Sequence, residues 1–313
     1  GAALSACSSS SDPAPSPGGL GSSSLASSAY ARTQLATIEA RFAGALDPLA
    51  TGRPTATTTL PAAAPGWVQI EAGGLQVRFA LEGASDVAGT DISSRGRIYP
   101  NVFGDAGEAH LVLVPHAAGV EDHVVFGQEP PQRSLRYRVD VSKVAGLRLV
   151  SNTLELLDAT ASPQLRVAAP YVIDAAGKRH SARLSIEGCQ ADRDGRAPWG
   201  RPLTKPAADS CTLAVSWDAG LVYPVLVDPQ WVATSNTMFS VREQHTIAEI
   251  NPGTAASLAL LCGGFDGAGN AIASCEVYNP LTRTFAITNP MLTARGAHSM
   301  TILATIPPNG ANA

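Results

Sequence analysis

The chain lacks most features that would declare a chemistry. Only 15% of its 313 residues are charged, with 22 Lys and Arg against 26 Asp and Glu, for a formal net charge of −4. These charges are scattered, leaving no basic footprint for nucleic acid and no polybasic patch for a membrane surface. No uninterrupted apolar run reaches the length of a membrane span. No H-E-x-x-H, G-x-S-x-G or P-loop pattern occurs, which removes the commonest motif-borne hydrolase and nucleotide chemistries. No C-x-x-C pair marks a metal or redox centre. Carboxylate pairs for glycoside chemistry do not emerge from spacing. The expectation is a protein with no cofactor and no catalytic residue.

What is present suits β-structure. Hydrophobic residues make up 45% of the chain, and 29 Gly and 23 Pro favour many short strands and turns over long helices. The five cysteines fall into two local pairs and a remainder. Cys189 and Cys211 flank one loop-rich stretch, Cys262 and Cys275 another, and Cys7 stands alone. The local pairs point to disulfides and an oxidising compartment; the plainer alternative is buried free thiols in a cytosolic protein.

Residues 1–28 read as a signal-peptide remnant and tether. "LSAC" (Leu4–Cys7) resembles a bacterial lipobox, which implies lipid attachment at Cys7 and a cell-envelope location. Ser8 and Ser9 behind the cysteine favour the outer membrane, with secretion as the alternative. A Ser/Pro/Gly-rich leash follows. Over 29–64, Leu35, Ile38, Phe42 and Leu46 fall at helical spacing, which predicts one short helix stopped by Pro48, then a linker.

From Trp67 the period becomes two. "LRYRVDV" sets Leu135, Tyr137, Val139 and Val141 on one face and Arg136, Arg138 and Asp140 on the other. About ten such runs predict a β-sandwich-like domain over 65–232, antiparallel, with one face of each sheet buried. "VIDAAGK" (172–178) predicts a tight turn, with Asp174 bonding its own backbone and Gly177 at positive φ. "IYPNVFGD", "VEDHVVF", "AAPYVIDAAGK" and "YPVLVDPQW" resemble the β-rich module that precedes repeat domains in large bacterial cell-surface proteins. The resemblance implies secretion and β-structure, and no catalytic residue.

The last stretch, 233–313, holds a repeat. "MFSVREQHTI" at 238–247 recurs as "MLTARGAHSM" at 291–300, pairing Arg242 with Arg295 and His245 with His298 at an offset of 53 residues. Between the copies, "HTIAEI", "SLALLCGG", "SCEVYNP" and "TFAIT" read as four strands. The Gly263-Gly264 doublet, Tyr278 in Glu276-Val277-Tyr278-Asn279-Pro280, Phe285 where Trp is usual, and the recurring Arg–His block together resemble the kelch repeat. The resemblance implies an incomplete kelch β-propeller: one blade plus the start of a second, in a chain truncated at both ends. It also implies structural roles for Arg242, His245, Gly263, Gly264, Tyr278, Phe285, Arg295 and His298. The Gly doublet admits close backbone, the aromatics pack between sheets, and Arg295 and His298 bond backbone groups between blades. Cys262 and Cys275 would face one another across a hairpin, within reach of a disulfide.

The fold expected is therefore all-β with a short N-terminal helix, and two function classes follow. The first is a non-catalytic surface lipoprotein whose propeller binds a protein or polysaccharide, touching the membrane only through its lipid anchor and binding no nucleic acid. The alternative is a secreted enzyme similar to the copper radical oxidases, its site in missing blades. His110, His116 and His123 lie close in sequence; exposed strand ends are the expectation and zinc the alternative. Asp192 and Asp194 are expected in a solvated turn rather than a calcium loop.

Overall fold

The computed structural model describes residues 21–46, 56–92, 96–104, 108–234, 238–250, 257–282 and 284–301. Cys7 and the lipobox lie outside these residues. Helix α1 spans Gly21–Arg41. Strands follow as β1 (Ala56–Thr59), β2 (Val68–Ala72), β3 (Leu75–Leu81), β4 (Thr90–Asp91), β5 (Arg97–Tyr99), β6 (Ala109–His116) and β7 (Gly119–Phe126). Next come β8 (Ser134–Asp140), β9 (Gly146–Val150), β10 (Thr153–Leu157), β11 (Pro163–Val167), β12 (Tyr171–Ile173), β13 (Arg179–Ser181) and β14 (Arg183–Glu187). The last seven are β15 (Ser210–Ser216), β16 (Val225–Asp228), β17 (Trp231–Ala233), β18 (Thr246–Ile250), β19 (Leu258–Cys262), β20 (Cys275–Asn279) and β21 (Thr284–Thr288).

The fold is all-β, with three antiparallel sheets, none closed. A six-stranded sheet runs β1-β2-β3-β8-β15-β14. An eleven-stranded sheet runs β13-β12-β16-β7-β17-β11-β10-β9, with β4, β5 and β6 continuing from the other edge of β7. The two share one buried core in a sandwich-like arrangement. The alternation explains it: Leu135, Tyr137 and Val139 of β8 point inward while Arg136 and Arg138 do not. The Phe79 ring stacks on Trp231 of the opposite sheet at 4.1 Å between centroids. Burying such rings contributes about 2–3 kcal/mol each. The Asp174 turn forms as its residues dictate: Oδ1 accepts from the amides of Ala176 and Lys178 at 2.9 and 3.0 Å, and Gly177 takes a φ of 76°.

The large sheet departs from the expectation of one wet face. All eight residues of β7, and all of β9 and β10, are buried. Its outer face is covered at two places. Near β5–β7, Ala31, Leu35, Ile38, Phe42 and Leu46 pack on Ile98, Val112, Val114, Val125 and Leu226. Near β9–β11 sits the third sheet, the meander β18-β19-β20-β21.

Two boundaries move. The helix begins at Gly21, inside the stretch expected to be tether, because Ser and Ala at 22–28 tolerate helical backbone once its later turns are packed. It ends at Arg41 rather than at Pro48; the chain turns over 42–46, where Gly44 takes a φ of 80°. The expected linker also contributes β1, whose β-branched Thr57–Thr59 pair with Gln69–Glu71.

Candidate functional site

The large sheet forks beside β7. On one edge, β16 pairs with Val124–Phe126 and β17 pairs with Gly119–Val120. Pro229 and Gln230 join these two short strands, and on this edge Glu121, Asp122 and His123 have no strand partner, while on the other they pair with Val114, Leu113 and Val112 of β6. Asp122 turns inward, where it accepts from the Tyr137 hydroxyl at 3.3 Å. Burial, and then the charge of Asp228, hold its carboxyl well above the usual range. Glu121 and His123 turn outward with Asp228, at 6%, 1% and 2% exposure.

This outward group is polar and under-bonded. Gln230 Nε2 donates to Glu121 Oε1. Neither ring nitrogen of His123 has a hydrogen-bond partner, nor does Asp228 Oδ1. His123 Nδ1 stands 3.6 Å from Asp228 Oδ1, beyond hydrogen-bond range. Burial, then Asp228, push Glu121 up to about 8. Burial lowers His123 and His116 below the ordinary imidazole value, so both rings are neutral at pH 7. One donor atom each from Glu121, His123 and Asp228 lies within 4.8 Å of the others, a spacing that can hold a cation.

The expectation of exposed strand-end histidines is therefore corrected. His110 and His123 are buried, and the His116 ring is 2% exposed. The sheet's outer face is covered, so β6 and β7 place all three inside. They do not form one cluster. His123 joins the two carboxylates, and His116 Nε2 faces Glu121 Oε1 at 3.8 Å. His110 Nδ1 accepts from the Asn101 amide at 3.3 Å.

A second buried polar group holds the meander. Arg148, Glu155 and Arg166 lie side by side on β9, β10 and β11 in cross-strand register. Glu155 Oε2 accepts from Arg148 at 2.5 Å, and Oε1 from Arg166 Nε at 3.2 Å. The same two residues reach the edge of β21. Arg166 donates to the Phe285 carbonyl at 2.6 Å, and Glu155 Oε1 accepts from the Ile287 amide at 2.9 Å. Ser151 Oγ donates to the Thr288 carbonyl at 3.3 Å, and Thr288 Oγ1 to the Gly195 carbonyl at 2.6 Å. Arg148 also donates to the Arg196 carbonyl at 2.9 Å. The alternation in "GLRLV", "TLELL" and "PQLRV" contained this triad, but alternating charge reads as a solvent face.

Within the meander, the four strands anticipated from the repeat all form, and consecutive strands pair. Cys262 and Cys275 are register partners joined by a disulfide, with Cα atoms 4.2 Å apart. Cys189 and Cys211 form the other disulfide. Arg242 is buried; it donates to the carbonyls of Gly263 and Ser274 at 2.9 and 2.8 Å and pairs with Glu276 at 2.8 Å, both side chains 0% exposed. Glu276 also accepts from the amides of Phe239 and Ser240. Tyr278 and Phe285 are cross-strand partners whose rings contact each other at 4.7 Å.

The second copy of the block lies against the Gly doublet. The Gly264 amide donates to the Arg295 carbonyl at 2.9 Å. Gly263 and Gly264 have φ of 65° and 99°, and a Cβ on Gly263 would stand 2.4 Å from the Arg295 carbonyl oxygen. His298 Nε2 bonds Thr246 Oγ1 at 3.0 Å rather than a backbone group. The Arg295 side chain is exposed and among the described residues bonds only the nearby Thr293 carbonyl, unlike its repeat partner Arg242. His245 is half-buried, and its Nδ1 has no partner. The suggested calcium carboxylates are engaged: Asp192 pairs with Arg201 at 2.6 Å and Asp194 with Arg201 at 3.3 Å, so they form an ion-paired turn.

No family model matches the chain, and no curated protein matches it in sequence.

Proposed function

We propose that the protein is a non-catalytic, lipid-anchored protein of the bacterial envelope. In this reading the sandwich-like domain is a base that carries a kelch-type blade, and the propeller begun by that blade binds a protein or polysaccharide. The observation that carries the reading is the fastening of β21 by Glu155 and Arg166. A base that grips the edge of the first blade through buried charge fixes that blade's position. The two disulfides agree with an extracellular or envelope location, and no described helix is long and apolar enough to cross a membrane. For the oxidase alternative, a Tyr–Cys cross-link needs a free thiol. The four cysteines among the described residues are all disulfide-bonded and supply none. The test is expression with a bacterial lipoprotein signal and labelled palmitate, followed by retention of envelope polysaccharide and envelope protein fractions on the immobilised chain. Label on the parent but not on Cys7→Ala, with saturable retention of one fraction, is expected. Equal labelling of both, or no saturable retention, overturns the proposal.

A further inference from the structure

We propose that Glu121, His123 and Asp228 form a site for one divalent cation of the zinc class, which staples β7 to β16 across the fork in the large sheet. This inference is independent of the propeller reading. The donor set is one imidazole and two carboxylates, a combination suited to zinc and its neighbours. Its geometry is nearly closed. Donors about 2.1 Å from a tetrahedral ion sit about 3.4 Å apart, and His123 Nδ1 and Asp228 Oδ1 are 3.6 Å apart. The whole set falls within 4.8 Å, so small side-chain rotations bring Glu121 in.

The second observation is what the buried atoms lack. Native interiors leave few polar atoms unbonded. Here both His123 nitrogens and Asp228 Oδ1 have no hydrogen-bond partner, on side chains 1% and 2% exposed. All three groups face the same side of the sheet, because Glu121 and His123 are two residues apart on β7 and Asp228 ends the neighbouring β16.

His116 is not a ligand. Its Nδ1 accepts from the Ala118 amide at 3.2 Å, which puts the proton of the neutral ring on Nε2. That N–H faces Glu121 Oε1 from 3.8 Å, and Gln230 donates to the same oxygen. Both are placed to orient the carboxylate. Three protein donors leave a fourth position for water, and the burial of the set assigns the ion a structural rather than a catalytic role.

The experiment uses the oxidised chain, stripped with chelator and then dialysed against zinc chloride or cobalt chloride. Expected are about one bound equivalent, a cobalt spectrum of low coordination number, and a melting temperature raised by roughly 5 °C at a hundredfold excess over Kd. His123→Gln and Asp228→Asn should lose the bound equivalent, whereas His180→Gln, at a surface histidine paired with Asp174, should keep it. Should the buried variants misfold, the imidazole resonances of the parent decide. Zinc must shift those of His123. No binding by the parent, full binding by Asp228→Asn, or zinc that leaves His123 unshifted would each overturn the site.

Discussion

Replacing Glu155 with Gln should detach the meander from its base. Glu155 is 0% exposed, between Arg148 at 0% and Arg166 at 2%. The change preserves shape but removes the only carboxylate among the described residues in hydrogen-bond range of either guanidinium in this group. Breaking a buried ion pair from one side costs about 3–5 kcal/mol, because the remaining charge stays desolvated. With two arginines facing one carboxylate, the upper end of that range is expected. A second variant separates stability from docking. Arg148→Met, Glu155→Leu and Arg166→Met together replace the triad by hydrocarbon of similar volume, which is often neutral or stabilising. The sandwich-like domain should then keep its urea midpoint, yet β21 loses the partners of the Phe285 carbonyl and Ile287 amide. Hydrogen exchange at Ile287 should rise in both variants, while amides in the β8–β15 ladder stay protected in the triple variant. Unchanged protection of Ile287 in the triple variant would refute the reasoning. It would mean that apolar contact alone docks the meander.

Three further outcomes are expected. Gly263→Ala forces a Cβ to within 2.4 Å of the Arg295 carbonyl at a φ of 65°. Exchange of the Gly264 amide should rise while the Cys262–Cys275 link still forms; an unchanged rate would mean that the 291–298 segment yields without cost. Replacing Cys262 and Cys275 by Ala opens a link of sequence separation 13, and should lower stability by about 3 kcal/mol, read as a reduced urea midpoint for loss of the meander. Burial raises the Asp140 carboxyl, but Ser142 and Arg78 outweigh it and bring its value to about 2. A depressed folded value means this contribution is complete above about pH 4 and lost as pH falls toward 2. Asp140→Asn should flatten the acid limb of a stability–pH curve in that window, and an unaltered limb would show that the pair with Arg78 is energetically silent.

How much of this could be read from residues alone depends on how local the signal is. The β8 alternation, the Asp174 turn and the meander's four strands rest on contacts between neighbours in sequence, and all were legible. So were both disulfides, each closing within one candidate domain. The start of α1 was not, because Ser-rich sequence reads as leash until something packs against its continuation, and β5–β7 supply that surface from far along the chain. The buried face at His123 was equally hidden. Period two separates two faces of a strand, but it does not say what covers the second. The one available hint was "VEDHVVF" itself: three consecutive ionisable residues inside an otherwise apolar strand, where solvated turns are the usual home for such a run.

The same limit explains why the docking triad was invisible, and also why it is charged. What β21 presents to the large sheet is the edge away from β20, carrying backbone groups with no strand to pair them. Hydrocarbon on β9–β11 would bury that edge and leave the Phe285 carbonyl and Ile287 amide unsatisfied, at about 1–3 kcal/mol each. A guanidinium beside a carboxylate offers a donor and an acceptor at neighbouring positions, as a strand would, and the two charges neutralise one another when no strand is docked. Arg166 and Glu155 therefore stand in for a missing strand: they end the meander's sheet on one side without a free edge. Their order also fixes register: a one-step slide of β21 would bring donor to donor and acceptor to acceptor, each charge facing a backbone group it cannot bond. The ion triad stabilises little by its own pairing. Its contribution is to hold the β21 edge in one register against the large sheet.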